Sequence, residues 1–295
     1  MRQTIEIRDM RLLVALARHR HFAKAAEACG ISQPAFSMRI RHLEEVLGLP
    51  IVRRGNRFLG FTEQGEMLLR RAGAVLDEMR ALEQELSTVG GQISGALTLG
   101  VVPTALAFAA ELCARLRDVH PGIRPRVVSA AAKEIQQGIE AASLDAGITY
   151  RDGISADLWD VQTLYEEEYV LVAPPNLIPD GVEEIAWHAA AALPLCLLVP
   201  EMQNRRILDR MFEEVGLRPR ILAEANGFTS LLVMARQGMA ATIVPAAMTR
   251  ALGPLDGLRA LPLAAPRLAT AISLVAPRKT PGLPVVAALR RVAAS

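Results

Sequence analysis

The stretch from Phe22 to Leu47 constrains this chain more than any other. It reads as two helices joined by a tight turn. Ala23 to Cys29 is an alanine-rich run of high helix propensity, and Gly30 stands at its natural stop. Ser32 takes an N-cap place, and Pro34 falls in the first turn of the next helix, where a missing N–H costs little. That second helix is expected to run to Leu47, ended by Gly48 and Pro50. Phe36, Ile40, Leu43 and Leu47 recur at three- and four-residue steps, so one side faces a core. The other side carries Gln33, Ser37, Met38, Arg39 and Arg41. A polar, basic second helix after a tight turn suits the major groove of DNA. Helix pairs with basic faces also occur in proteins that never meet DNA, so the flanking sequence has to decide.

On the N-terminal side, Met10, Leu13, Val14 and Ala17 form one apolar face of a first helix, roughly Arg8 to Arg18, which closes a three-helix core. On the C-terminal side, two short extended pieces between Pro50 and Thr62 flank the turn pair Gly55-Asn56. They read as a β-wing carrying Arg53, Arg54 and Arg57, which would sit on phosphates or in a minor groove. A solvated basic loop is the plainer alternative. The charge distribution favours the wing. Residues 1–62 carry 11 Lys or Arg against 5 Asp or Glu, a net of +6, which leaves the remainder at −4 within a total of +2. A basic first module on a mildly acidic remainder points to a polyanionic partner for the first module alone.

Thr62 can cap a long helix from Glu63 to about Thr88. Leu68, Ala72, Val75, Met79, Leu82, Leu86 and Val89 step along it alternately by four and three. A heptad seam of this length predicts pairing with the same helix of another copy. An amphipathic helix lying on its own domain would show a similar stripe. Gly90-Gly91 then breaks the helix and supplies a hinge.

From Ile93 onward, short apolar runs alternate with helical patterns, which predicts parallel sheets with helices on both faces. Strands are expected at Ala96–Val102, Pro125–Ser129 and Ala146–Thr149, then at Tyr169–Ala173, Leu195–Val199, Arg220–Glu224 and Ala241–Val244. The chain crosses from one lobe to a second near Val161–Tyr165, and Leu268–Val275 with a last helix returns it to the first. Two α/β lobes with two crossings make a cleft, bordered by the strand ends where such sheets hold ligands.

Several classes of function are set aside at this stage. The first residues lack the apolar run of a secretory signal, and no apolar stretch reaches transmembrane length, so the expected location is the cytoplasm. That argues against an exported solute-binding protein. Cys29, Cys113 and Cys196 are far apart and the five histidines are scattered, so no metal site is expected. No catalytic triad order, glycine-rich phosphate loop or supported carboxylate pair is visible, so no enzyme is expected.

The run from Phe22 to Gly48, the basic wing, the segment FTEQGEMLL at residues 61–69 and the two-lobed remainder together resemble a LysR-type transcriptional regulator. The resemblance spans nearly the whole chain. It implies an α/β protein in three parts. A winged helix-turn-helix occupies residues 1–62 and a dimerising linker helix with its hinge 63–91. An effector domain like periplasmic binding proteins occupies 92–295, with lobe I at about 92–162 and 267–295 and lobe II at about 163–266. It further implies homodimers that assemble into homotetramers, double-stranded promoter DNA as partner, no cofactor, and a small-molecule effector. In that family the start of the recognition helix reads base edges, a place matched here by Gln33, Pro34, Ser37 and Arg39, with Met38 as a departure from the polar residue usual there. Lys24 and Ser32 are expected on phosphates, as is Arg41 unless it is merely solvated. The family's effector site lies between the lobes. Thr104, Thr149, Gln203, Asn204, Phe228 and Thr229 all fall at strand ends or helix starts that border such a cleft. Free N–H groups at helix N-termini favour an anion, so the expected effector is a small anion or organic acid.

Overall fold

A computed structural model describes residues 5–54, 58–88, 92–155, 157, 159–264, 266, 269–278 and 282–295. The wing turn Gly55-Asn56, Arg57, Val89 and the Gly90-Gly91 hinge lie outside the described residues.

The N-terminal module consists of α1 (Ile7–His19), α2 (Phe22–Ala28) and α3 (Gln33–Leu47), followed by strands β1 (Val52–Arg54) and β2 (Phe58–Phe61). Leu12, Leu13, Leu16, Ala25, Ala26, Phe36, Ile40 and Leu43 form its core. Gly30 adopts φ +66°, the left-handed conformation that lets the chain reverse between α2 and α3. Ser32 Oγ accepts from the Ala35 N–H at 3.4 Å, so this side chain caps α3. β1 and β2 pair antiparallel, with Val52 opposite Phe61 and Arg54 opposite Phe58. Edge-to-face contacts run from Phe36 to Phe22 to Phe58 to Phe61, joining the wing to the helices. Glu44, near the end of α3, accepts from the Ile51 and Val52 N–H groups at 2.9 and 3.1 Å. The wing is therefore held in a fixed relation to α3.

Helix α4 (Glu63–Thr88) starts where Thr62 Oγ1 accepts from Gly65 N–H at 3.0 Å and donates to Pro50 O at 2.7 Å. One side of α4 is used inside the chain. Leu69 and Ala72 join the N-terminal core, Gly73 lies against Ala141 and Ala142, and Gln84 accepts from the Val285 N–H at 3.4 Å. Arg80 pairs with Asp77 and, at 2.8 Å, with buried Asp145. Asp145 also accepts from the Thr98 N–H at 2.7 Å. Burial still pushes its carboxyl up, against the pull of Arg80. The expected seam is thus divided. Ala72 is a core residue and Leu68 is half-buried, whereas Val75, Leu82 and Leu86 are exposed. A stripe of apolar residues does not say which of two helix faces a domain will take, and here the chain takes the Leu69–Ala72–Leu76 side.

The remainder comprises β3 (Gly95–Val101), α5 (Leu106–Val119), β4 (Ile123–Ser129), α6 (Ala132–Glu140), β5 (Ala146–Tyr150) and β6 (Trp159–Ala173). After them come α7 (Trp187–Ala192), β7 (Pro194–Leu198), α8 (Gln203–Glu214), β8 (Arg220–Ala225), α9 (Phe228–Arg236), β9 (Thr242–Pro245) and α10 (Ala246–Leu252). The chain closes with β10 (Arg259–Pro262), β11 (Ala269–Pro277) and α11 (Pro284–Ala294). β6 organises both lobes. Its first part pairs with β11, continuing the order β11-β5-β3-β4 in lobe I, and its last part pairs with β9 and β10 in lobe II. β7 and β8 pair in parallel and reach β9 through the bridge Leu195–Ala241. The sheets are mixed rather than parallel as expected: β3 pairs in parallel with β4 and β5, but β6, β9, β10 and β11 pair antiparallel. Every antiparallel pair in these sheets includes β6 or β11, the strands that carry the chain between the lobes and return it, so no crossover helix is required of those pairs. One core fills lobe I, and two line the opposite faces of the lobe II sheet.

Candidate nucleic-acid interface and effector site

On the outer side of α3, Gln33, Pro34, Met38 and Arg41 are exposed, with Met38 67% exposed, and Ser37 is half-buried beside them. Lys24 on α2, Ser32 at the α3 start and Arg53 on β1 are also exposed. Arg54 is in β1, but its side chain and all of Arg57 lie outside what is described. This gives one continuous face of cations and amide groups around the N-terminal end of a helix.

Arg39 departs from the expectation. Its guanidinium turns toward α1, where Nε donates to Asp9 Oδ1 at 2.5 Å and Nη2 to Asp9 Oδ2 at 3.2 Å, with Glu6 at 2.8 Å. Asp9 is buried, and its carboxylate also accepts from the Glu6 N–H at 3.0 Å. The hydrogen bond to Asp9 holds the Arg39 guanidinium firmly protonated. A forked guanidinium paired with a buried carboxylate fastens α3 to α1. Arg39→Ala is expected to lower stability by about 2–3 kcal/mol, the scale of a lost charged hydrogen bond to a buried group. A urea titration of both proteins checks this; a midpoint unchanged in the variant would leave the pair without structural weight.

The interlobe region holds a different constellation from the one expected. Thr104 is buried in the short turn before α5, and its Oγ1 lies 3.1 Å from Tyr150 Oη. Tyr165, Glu167 and Tyr169 alternate along one face of β6 at the junction of the lobes. Tyr169 Oη donates to Glu167 Oε2 at 2.7 Å, and Asn204 Nδ2, at the start of α8, donates to Tyr169 Oη at 3.2 Å. Glu167 is 1% exposed. Desolvation raises its ionisation point from an ordinary 4.5 to about 7, opposed by the hydrogen bond from Tyr169 and by the nearby hydroxyls of Thr104 and Tyr165. Burial likewise pushes the phenols of Tyr150, Tyr165 and Tyr169 upward, and the Glu167 charge adds to it. Glu167 Oε1, Asn204 Oδ1 and Tyr165 Oη have no hydrogen-bond partner.

Of the six effector residues expected, Thr104 and Asn204 belong to this cluster. Thr149 is fully buried and sits opposite Ser273 on the sheet, on the face away from Tyr150, and both hydroxyls lack partners. Phe228 is a core residue of lobe II, Thr229 is exposed, and Gln203 is half-buried at the first position of α8. Tyr150, Tyr165, Glu167 and Tyr169 were not expected. Their signal was Tyr165-Glu-Glu-Glu-Tyr169 itself: in a strand, Glu167 shares a face with both tyrosines while Glu166 and Glu168 point to solvent.

The raised Glu167 carboxyl has a consequence for stability. The native state keeps its proton to about pH 7, whereas the unfolded chain loses it near the ordinary 4.5. Stability from this group is therefore full below 4.5 and falls as pH rises from there to about 7. Glu167→Gln removes that dependence. Thermal unfolding of both proteins across this range should show wild type losing ground to the variant with rising pH; parallel curves would place the carboxyl in water.

Residues 7–66 match the bacterial regulatory helix-turn-helix protein, lysR family, and residues 90–295 match the LysR substrate binding domain. The chain belongs to the LysR family. This LysR-family protein is similar to the hydrogen peroxide-inducible genes activator of Haemophilus influenzae, at 26% identity over 99% of this chain and 96% of that one. Its fold matches full-length OxyR from Pseudomonas aeruginosa, with a TM-score of 0.77 at 21% identity over 99% and 94% of the two chains. It also matches full-length CbnR complexed with its target DNA, with a TM-score of 0.66 at 18% identity over 98% and 99%. The protein is a LysR-type DNA-binding transcriptional regulator with an effector-binding domain, and not an enzyme. Its partners are DNA and a small-molecule effector. Among the described residues no helix is long and apolar enough to cross a membrane, and no group of three or more His, Cys, Asp or Glu is placed to hold a metal.

Proposed function

We propose that this regulator reads promoter DNA with the exposed face of α3 and holds its effector at the interlobe cluster around Glu167. The first part rests on the face formed by Gln33, Pro34, Ser37 and Met38, with Lys24, Ser32, Arg41 and Arg53 around it for phosphates; Arg54 and Arg57 are assigned the same role from sequence alone. Gln33 can pair bidentately with adenine, and Met38 offers an apolar contact suited to a thymine methyl. The second part rests on buried polar groups contributed by both lobes, three of whose atoms are orphaned. Residues 1–62, 63–91 and 92–295 then serve as reader, pairing helix and sensor. The exposed stripe Val75–Met79–Leu82–Leu86 joins two copies, dimers assemble into tetramers, and the protein works in the cytoplasm without a cofactor.

The small anion expected from helix N-termini is not carried forward. The Thr104 hydroxyl is engaged with Tyr150, and the ionisable group buried in the same cluster is the carboxyl of Glu167. Peroxide sensing, suggested by the name of a relative, is not carried forward either. The reactive form of a cysteine is the thiolate. Burial pushes the thiols of Cys29, Cys113 and Cys196 up, and Cys196 Sγ, fully buried, donates to the Ala241 carbonyl at 3.4 Å.

The DNA test is a selection of bound sequences from random duplexes, followed by titration of the winner. Gln33→Ala should weaken binding to the selected site by about 1–3 kcal/mol while binding to random DNA changes little. Equal losses on both DNAs would make Gln33 a phosphate or scaffold contact instead.

A further inference from the structure

The ionisable groups of the interlobe cluster are one carboxyl and three phenols. Glu167 faces Tyr150 from β5, Tyr165 and Tyr169 from its own strand, the turn residue Thr104 and the α8 residue Asn204. Among the described residues no cation contributes to its state. Arg250, from α10, acts on Tyr165 and is itself exposed. Arg205, buried one position after Asn204, is spent on Asp209, Glu224 and the Leu198 carbonyl, each at 2.7 Å. The cluster therefore buries an acid without a base.

Two of the cluster's three orphaned atoms can only accept when the carboxyl is ionised, and the third is a hydroxyl. Glu167 Oε1 and Asn204 Oδ1 are acceptors, and the phenol of Tyr165 can also accept. Tyr169 donates to Glu167 and Asn204 to Tyr169, which leaves the Tyr165 hydroxyl as the one unpartnered hydroxyl among the cluster's orphaned atoms, beside two acceptors that have no proton of their own to share. What is missing is a group that brings hydrogen-bond donors and positive charge. We propose that the effector is a small organic cation, an ammonium or amidinium compound, whose N–H groups bind Glu167 Oε1 and Asn204 Oδ1 between the lobes. This rests on the reading of the interlobe cluster as the effector site. A carboxylate or phosphate would meet the Glu167 carboxyl and two unpaired acceptors, and would satisfy neither of them. An uncharged donor such as an alcohol would leave the carboxyl protonated and gain no charge pairing from it.

The test uses the full-length protein and three probes of equal chain length: putrescine, succinate and the uncharged diol. A ligand that binds the folded state raises the thermal midpoint. Putrescine should raise it most and succinate least. Its affinity should fall about tenfold or more in Glu167→Gln, and also in Asn204→Leu, which removes the second acceptor and serves if the first variant folds poorly. The ammonium group favours the ionised carboxyl, so binding expels a proton and putrescine affinity should climb as pH rises through about 7. An anion bound to the protonated acid would show the opposite slope. Stabilisation by succinate that Asn204→Leu abolishes would overturn the cation and keep the site. Putrescine binding equally to wild type and both variants would overturn the site as well. A panel in which no probe shifts the midpoint would overturn the proposed cation.

Discussion

Leu82→Asp is expected to leave the protein monomeric. The helix α4 presents two apolar faces. Leu69, Ala72 and Ala81 are buried against the chain's own domains, while Leu82 is 57% exposed and Leu86 65% exposed, with Val75 and half-buried Met79 on the same stripe. These four step by four, three and four, the spacing of a helix-pairing seam. A two-fold interface presents every residue twice. Burying a leucine contributes about 1.5–3 kcal/mol, so one substitution removes about 3–6 kcal/mol from a dimer, before the cost of burying a carboxylate. At about 1.4 kcal/mol per tenfold, the dimer weakens by two to four orders of magnitude. Light scattering at fixed concentration reads the result directly. Leu82→Met keeps volume and apolarity and should remain oligomeric. Binding to a two-half-site DNA should fall with the dimer, because each copy reads one half-site. An aspartate variant of native mass would put the pairing surface elsewhere on the molecule.

The N-terminal module was legible because its signals are local. Gly30, Ser32 and Pro34 mark the turn and cap within five residues, and the Phe36–Ile40–Leu43 periodicity names the buried face without outside help. Partners that lie far apart in sequence were out of reach of such local signals. Arg39 looks like a base reader until Asp9, thirty residues earlier and on another helix, is brought beside it. The seam placed Ala72 with Leu82, because spacing cannot tell the face turned to the chain's own lobe from the face left for another copy. In the effector domain the alternation of strands and helices gave the two lobes and both crossings. It missed the short α10 and β10, and it could not show that β6 pairs with strands of both lobes. Glu167 was hidden for the same reason. A run of three glutamates reads as a solvated face, and only the register of a long strand, with its tyrosines on one side, turns one of the three inward.

Gly65→Ala is expected to destabilise the N-terminal module although alanine is the better helix former. By helix propensity alone the change should stabilise α4 by about 1 kcal/mol. The surroundings reverse that sign. A Cβ built on Gly65 falls 2.1 Å from the Ile51 carbonyl oxygen and 3.0 Å from its carbon. That carbonyl is not free to withdraw. It accepts from the Thr62 N–H at 2.9 Å and from Thr62 Oγ1 at 3.2 Å, and Ile51 N–H is held by Glu44 at 2.9 Å. The first turn of α4 must therefore lift away from the strand that enters the wing, breaking its own cap at Thr62. Overpacking of this kind costs about 1–3 kcal/mol, and loss of the cap adds about 1 kcal/mol. A net loss of about 1–3 kcal/mol follows once the propensity gain is subtracted. Because Glu44 ties the same segment to the end of α3, the displacement also shifts the wing arginines relative to the recognition helix. Affinity for DNA should then fall even at temperatures where the variant stays folded. The exposed neighbour Gln64→Ala provides the control, with an effect within about 0.5 kcal/mol. Thermal unfolding and a DNA titration on the three proteins decide it. A Gly65→Ala protein as stable as the control, with native DNA affinity, would show that the Ile51 carbonyl yields more easily than the three hydrogen bonds on Ile51 imply.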